Sequence, residues 1–228
     1  TTDNENLKII KEDIRNTNLD DLTTDIDYIF HIAAMGNVPS SIDNPVECCD
    51  INLNGTIKLL KSAVDNDVEK VIFSSSSSVY GQNRNMPLKE TERAMPTSPY
   101  ASSKASCELY LKSFYDSYGL NYTSLRYFNV FGPRQNKNSQ YAAVIPNFIS
   151  AILEGKQPKI YGDGEQTRDF VFVRDIAKAT VCACKSNYNG IVNIASGEKI
   201  TINRLYEIIK HTLNSDLEPE YLPERPGD

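Results

Sequence analysis

No apolar run in the 228-residue sequence approaches the roughly 18 residues that a transmembrane helix needs. No secretory leader pattern opens it. Its cysteines are few and poorly placed for metal or redox work. Cys48, Cys49, Cys107, Cys182 and Cys184 are odd in number, and no Cys-x-x-Cys spacing occurs. They read as small buried hydrophobes in a reducing cytosol. Positive charge is in deficit: a net charge of -6 offers no electrostatic footprint for nucleic acid or a membrane surface. Tryptophan is absent, although there are 13 tyrosines. There is no internal repeat, and the serine run at 74–78 is the one low-complexity segment. What remains is 40% hydrophobic and 24% charged, the make-up of an ordinary globular protein. Its length suits one large α/β domain, or a domain plus a small lobe.

The chemistry concentrates between Ser74 and Lys104. Val71-Ile72-Phe73 reads as a short buried strand, and the serines follow at its carboxyl end. In an open α/β sheet that end is where ligands bind. Some twenty residues on, Ser98-Pro99 has the chemistry of a helix start, with Ser at the N-cap and Pro at the first helical position. Tyr100 and Lys104 are four residues apart and so share one helix face. A free tyrosine, with a pKa of about 10, is a poor base near neutral pH. A neighbouring ammonium and the positive end of a helix both favour the phenolate, so a lowered Tyr100 is expected. A serine hydroxyl from the strand end could hydrogen-bond the same substrate oxygen. Together these groups can take a proton from a sugar hydroxyl while a hydride leaves its carbon. A Tyr-x-x-x-Lys spacing alone arises often by chance; strand, serines, Val-Tyr-Gly and Ser-Pro-Tyr-x-x-x-Lys in this order are far more specific.

This stretch resembles the extended short-chain dehydrogenase/reductase family, and within it the nucleotide-sugar epimerases of the UDP-glucose 4-epimerase type. The resemblance implies Ser76, Tyr100 and Lys104 as the catalytic triad. Ser76 comes from counting back from Val79-Tyr80-Gly81, with Ser75 and Ser77 as the alternative assignments. It also implies NAD as cofactor, with Lys104 and Tyr100 at the cofactor's ribose end.

Other segments extend the resemblance. Leu7–Lys11 reads as a strand followed by Asp13 and Ile14; in the family an acid and an apolar residue here hold the adenine ring of NAD, whereas alone Asp13 would be a loop acid. Asp27–Ile32 reads as a strand running into Ala33 and Ala34, which in the family line the NAD phosphates and the nicotinamide ribose. His31 reads as structural. Gly36–Ser41 resembles the loop over the sugar pocket. Asp43-Asn44-Pro45 caps a long helix to about Asp65, with Val46, Cys49, Leu53, Ile57, Leu60 and Val64 as its buried stripe. Within it Asn52–Thr56 resembles an N-x-x-G-T segment, where Gly55 would admit a neighbouring helix.

Gly119 reads as the C-cap of the helix that carries Tyr100 and Lys104. After a strand at 122–128, the RYFNVFGPR run implies that Asn129 meets the substrate's diphosphate; an Asx-turn is the plain alternative. Val144 opens a helix that in the family covers the nucleotide. In GDGEQTRDFVFVRDIA the Asp-Gly pair suits a tight hairpin. Tyr161 just before it could stack on uracil, and Arg168 could grip phosphate. Arg174–Cys184 and the segment after Thr201 read as helices, the latter with Ile202, Leu205, Ile208 and Ile209 inward, and 190–194 as a strand. At the end, RPGD implies Arg225 at the diphosphate and Asp228 at a nucleotide ribose.

The fold class expected is α/β: a Rossmann-like parallel sheet flanked by helices, its first strand-helix-strand unit missing, with a smaller substrate lobe. The NAD-binding part is assigned to 1–133 and 171–196, the nucleotide-sugar lobe to 134–170 and 197–228. The GxxGxxG turn that opens complete family members, and the acid ending their second strand, do not occur in the sequence. The expectation is therefore a piece of a longer protein that binds NAD weakly or not at all by itself. The activity implied is NAD-dependent epimerisation at C4 of a UDP-sugar, by a cytoplasmic homodimer joined through helices near 45–65 and 99–118. No metal, nucleic acid or membrane is expected. The alternatives are a nucleotide-sugar 4,6-dehydratase or decarboxylase of the same superfamily, and a non-catalytic NAD-binding relative.

Overall fold

A computed structural model of the chain describes residues 6–83, 85–136 and 143–224. It begins with α1 (Leu19–Thr23), β1 (Tyr28–His31), α2 (Val38–Asp43) and α3 (Pro45–Cys49). A π-turn (Asp50–Asn54) leads into α4 (Gly55–Asp65), then β2 (Lys70–Ser76), a short 3-10 turn (Ser77–Tyr80), α5 (Pro99–Tyr118) and β3 (Asn121–Tyr127). There follow β4 (Asn129–Phe131), α6 (Val144–Leu153), β5 (Lys159–Tyr161), β6 (Thr167–Arg168), β7 (Phe170–Phe172) and α7 (Val173–Lys185). The last elements are β8 (Gly190–Ile194), β9 (Ile200–Thr201), α8 (Ile202–Thr212) and β10 (Glu220–Leu222).

Packing divides the chain into two units, Thr1–Ser124 with Ala183–Ile191, and Leu125–Cys182 with Val192–Asp228. Two of these divisions fall inside β3 and β8, whereas the motif-based lobes change at 133/134, 170/171 and 196/197. The fold class is the one expected, a Rossmann-like α/β sheet in the order β1-β2-β3-β8, with β1 and β2 parallel in the register Tyr28 to Lys70 through His31 to Phe73.

In the first unit, Leu60 and Ala63 of α4 and Cys107, Leu111 and Phe114 of α5 bury Val71 and Phe73 of β2. The alternation of 71 and 73 puts one face of β2 on the helices. Helix α5 begins and ends where its sequence predicts: the Ser98 hydroxyl accepts from Ala101 N at 3.1 Å, and Gly119 closes it at φ 76°. At the other end of β2, buried Lys70 donates from Nζ to the carbonyls of Ala183, Ser186 and Tyr188 at 2.8–2.9 Å. An ammonium thus satisfies the carbonyls at the C-terminus of α7.

Several expectations change. Leu7–Lys11 forms no strand: Leu7, Ile9 and Ile10 are exposed. An apolar run becomes a strand only where a neighbour takes its N–H and C=O groups, and no described strand does. The helix from 45 to 65 is continuous but contains the π-turn. Of the expected stripe only Leu60 is fully buried, and Val46 is 82% exposed. Cys48, Asn52, Thr56, Leu59 and Ala63 go inward instead. The π-turn rotates the face that a 3.6-residue period predicts, and two of the buried positions are polar. At Gly55 a Cβ would lie 3.1 Å from Ile14 Cδ1, so the close neighbour is the side chain of Ile14, not a helix.

In the second unit, Phe148 and Ile152 of α6 pack with Ile160 and with Ile202, Leu205, Tyr206 and Ile209 of α8. Phe148 and Tyr206 meet edge to face, centroids 5.6 Å apart. Tyr206, not Ile208, completes the inward face of α8. The Asp163-Gly164 turn makes no hairpin: β5 pairs with β10, and β6 with β9. Gly162 and Gly164 both sit at φ 76°, and a Cβ on Gly164 would fall 2.0 Å from Asn203 Oδ1. The turn is therefore shaped around the start of α8.

Candidate active site

The carboxyl end of β2 delivers Ser76. Its hydroxyl accepts from Ser78 N at 3.1 Å, which starts the 3-10 turn. Gly81 ends that turn at φ 55°, where a Cβ would lie 1.8 Å from the Met95 carbonyl oxygen. The glycine of Val-Tyr-Gly is thus a steric requirement. The Ser78 hydroxyl is buried without a hydrogen-bond partner among the described residues.

Tyr100 lies in the first turn of α5. Its backbone N–H, which no helical carbonyl can take, donates to the Ser41 hydroxyl at 3.1 Å, and Ser41 donates to Val38 O at 2.6 Å. Burial raises the Tyr100 phenol, and the Ser76 hydroxyl opposes that through a hydrogen bond. The expectation of a lowered Tyr100 therefore fails in this structure. The reason is burial, which no charge from Lys104 offsets. Its ammonium is 3% exposed, donates to the Ser74 carbonyl at 2.7 Å and sits 4.6 Å from the Phe73 ring centroid, but 6.0 Å from that of Tyr100. Burial brings Lys104 itself down to about 8, opposed by Cys107, Cys48 and Glu108. Ser76, Tyr100 and Lys104 are nonetheless gathered at one strand end in the first unit.

Residues that spacing alone passed over support them. Asn52, from the π-turn, grips Met35 on both sides: Oδ1 accepts from Met35 N at 2.7 Å and Nδ2 donates to Met35 O at 3.2 Å. Nδ2 also donates to the Ser103 hydroxyl at 2.9 Å. This fixes the backbone after β1 against α5. His31 is structural, as expected: Thr56 gives its proton to Asn52 O at 2.5 Å, so the His31 Nε2–H donates to Thr56 at 2.8 Å. Burial pulls His31 down to about 4, helped by the charge of Lys104. The N-x-x-G-T segment carried the signal for Asn52 and Thr56, and the Gly36–Ser41 loop included Ser41 without its role; nothing local marked the buried Glu108.

The donor set suits a nicotinamide nucleotide at its ribose end. Ala33 is exposed and Ala34 half-buried just past β1, small residues that leave the backbone approachable, and a buried ammonium stands nearby on α5. At the adenine end Asp13 is already engaged. Arg15 forks onto it at 2.7 Å and reaches Asp50 at 2.9 Å, and that hydrogen bonding holds the Asp13 carboxyl at about 2. Ile14 covers Gly55.

The remaining sequence-predicted residues belong to the second unit. Asn129 Nδ2 donates to Asp169 O at 3.0 Å. Val144 packs against the second unit's apolar core, Tyr161 ends β5, and Arg168 Nη1 donates to Thr167 O at 3.1 Å. None of these four lines that unit's cavity of about 720 Å³, whose walls include Phe131, Phe170, Phe172 and Ile145. Arg225 and Asp228 lie outside the described residues. Among the described residues no cluster of His, Cys, Asp or Glu could hold a metal ion, and no helix is long and apolar enough to cross a membrane.

Comparison with known proteins places this geometry. Residues 1–195 match the model of the NAD dependent epimerase/dehydratase family. A putative UDP-glucose 4-epimerase of Methanocaldococcus jannaschii is 40% identical over 236 residues, covering all of this chain and 77% of the relative. Among solved structures, the UDP-N-acetylglucosamine 4-epimerase of Methanobrevibacter ruminantium, in complex with UDP-N-acetylmuramic acid, is 58% identical with a TM-score of 0.98, over 99% of this chain and 73% of that one. The UDP-glucose 4-epimerase of Thermus thermophilus, in complex with NAD, is 34% identical with a TM-score of 0.87, over 95% of this chain and 72% of that one.

Proposed function

The chain belongs to the NAD dependent epimerase/dehydratase family, and from that premise we propose that it carries the catalytic centre of an NAD-dependent 4-epimerase acting on a UDP-hexose or UDP-N-acetylhexosamine. The observation that carries the reading is the meeting of Ser76, Tyr100 and Lys104 at the end of β2, with Ser77 and Ser78 beside them where dehydration would need a carboxyl.

NAD, when bound, supplies the acceptor that oxidises the sugar at C4 and the donor that reduces it again. The chain's own residues handle the proton and the orientation. Tyr100 takes the 4-hydroxyl proton and returns it. Ser76 holds the same oxygen as hydroxyl and then as ketone. Lys104 meets the cofactor's ribose while its bond to Ser74 keeps the strand end in place. Ala33 and Ala34 would let the cofactor's phosphates approach the backbone, and Asp13, forked by Arg15, would edge the adenine together with Ile14. Asn129, Arg168 and Arg225 take the diphosphate, while Tyr161, Val144 and Asp228 take the nucleoside.

A 4,6-dehydratase would need a base to remove the C5 proton and assist elimination, and a decarboxylase would need a uronic acid substrate. Serine hydroxyls at 77 and 78 cannot act as carboxylate bases near neutral pH. Assembly as a homodimer through α3, α4 and α5 is supported by Val46 and Leu109, which stand 82% and 72% exposed on those helices. A cytoplasmic setting fits five unpaired cysteines. The reading is tested by incubating the NAD-loaded protein with UDP-glucose and separately with UDP-N-acetylglucosamine. Conversion of either to its C4 epimer, approached from both directions, supports it; absence of conversion of both contradicts it.

A further inference from the structure

We propose that Glu108 is a positioning residue for the catalytic centre: through the Ser75 hydroxyl it fixes the end of β2, so that the Ser74 carbonyl meets Lys104 and Ser76 is held at the strand end where the reacting oxygen would lie. The inference rests on the reading of Tyr100 and Lys104 given above.

Glu108 lies one turn beyond Lys104 and two beyond Tyr100 on α5, and so shares their face. It is 5% exposed, among the most buried charged residues of the chain. Its Oε1 accepts from Ser75 Oγ at 2.6 Å and from Ser124 Oγ at 3.5 Å, and those serines are 3% and 0% exposed. Ser75 stands between two residues of the catalytic centre: Ser74, whose carbonyl takes the Lys104 ammonium, and Ser76, the proposed partner of the substrate oxygen. One carboxyl therefore clamps the middle of a three-residue segment whose flanks face the reacting groups. A buried acid held only for stability needs partners, but not partners placed on that segment.

Charge points the same way. The titratable groups facing Lys104 are His31 of β1, Cys48 of α3, and Tyr100, Cys107 and Glu108 of α5. Glu108 is the carboxyl among them, and it opposes the burial that disfavours the ammonium.

The test compares Glu108→Gln, which keeps an acceptor oxygen, with Glu108→Ala and Ser75→Ala, which break the clamp. Two readouts are used: steady-state turnover of the NAD-loaded protein, and the titration of Lys104 followed by NMR of protein labelled at lysine Cε. The account expects Glu108→Ala to lower kcat about 10²-fold and Ser75→Ala about tenfold, with KM within about threefold of the parent, and Glu108→Gln to recover to within about tenfold. The Lys104 midpoint should fall by about one pH unit in both Glu108 variants. Folded Glu108→Ala and Ser75→Ala proteins that keep the parent kcat, with an unmoved Lys104 midpoint, would overturn the proposal. If Glu108→Ala does not fold, parental kcat in Ser75→Ala overturns it alone. Parental turnover in Tyr100→Phe would overturn the underlying reading as well; an inactive Tyr100→Phe beside a fully active Ser75→Ala would overturn only the clamp.

Discussion

The Lys104 ammonium donates to the Ser74 carbonyl oxygen at 2.7 Å. This single bond ties α5 to the carboxyl end of β2, the two elements that deliver Tyr100 and Ser76. It also fixes what Lys104 does here: it holds the strand end, and burial leaves Tyr100 a weak acid with only the Ser76 hydroxyl drawing it the other way.

Tyr100→Phe keeps the ring and removes the oxygen that moves the proton. Turnover should drop by about 10²–10⁴-fold, as expected for loss of a general acid–base group. Affinity for the UDP-sugar, read by calorimetry, should stay close to the parent. Turnover near the parental rate would remove Tyr100 from its role.

Arg168→Ala should weaken binding of UDP itself and not only of the UDP-sugar, because the proposed contact is to the diphosphate. A charge-assisted hydrogen bond contributes on the order of 1.5–3 kcal/mol, or roughly 10- to 100-fold in Kd. Unchanged UDP affinity would mean that the guanidinium keeps to contacts such as the Thr167 carbonyl.

The chain has only two histidines, so His31 can be followed by proton NMR against His211 as the other signal. Burial lowers His31 from 6.5 to about 4. The unfolded chain then binds more protons than the folded one between those pH values. Stability is fully present above about 6.5 and falls as the pH drops toward 4, by on the order of 3 kcal/mol from this residue. Denaturant melts at pH 7 and 4.5 should show a smaller acid loss in a folded His31→Gln variant. A His31 midpoint near 6.5 would contradict the burial argument.

Lys70→Met removes the ammonium that closes the C-terminus of α7. Three carbonyls lose a donor, although Ala183 O keeps the Ser186 N–H and hydroxyl and Tyr188 O keeps the Thr123 hydroxyl. The cost should be about 3 kcal/mol, or roughly 6–12 °C in Tm for a chain of this size. A melting point within a degree or two of the parent would show that water replaces the ammonium without loss.

Much of this architecture was legible in local chemistry. Ser98-Pro99 and Gly119 bound α5 as read, because caps are local and satisfy the helix's own orphan groups. The resemblance implied Ser76, Tyr100 and Lys104 as a triad, and the structure brings the three to one strand end. What spacing missed was set by tertiary contact. Leu7–Lys11 has strand residues but no described partner strand. The π-turn at 50–54 moved the buried face of the helix onto Cys48, Asn52 and Thr56. The Asp163-Gly164 turn looked like a hairpin, but β5 and β6 find other partners. Ser41 and Glu108 are polar residues whose importance lies in groups 59 and 33 positions away. Even the titration of Tyr100 is set by burial, which its spacing from Lys104 does not reveal.

The central claim is that the 4-keto intermediate is reduced again and not eliminated. Proton NMR of the NAD-loaded protein turning over UDP-glucose or UDP-N-acetylglucosamine in deuterium oxide tests it directly. The account predicts a mixture of the two C4 epimers, with no deuterium at C5 and no accumulation of NADH, since no carboxyl stands at 77 or 78 to take the C5 proton. A 6-deoxy methyl signal or deuterium at C5 would contradict it.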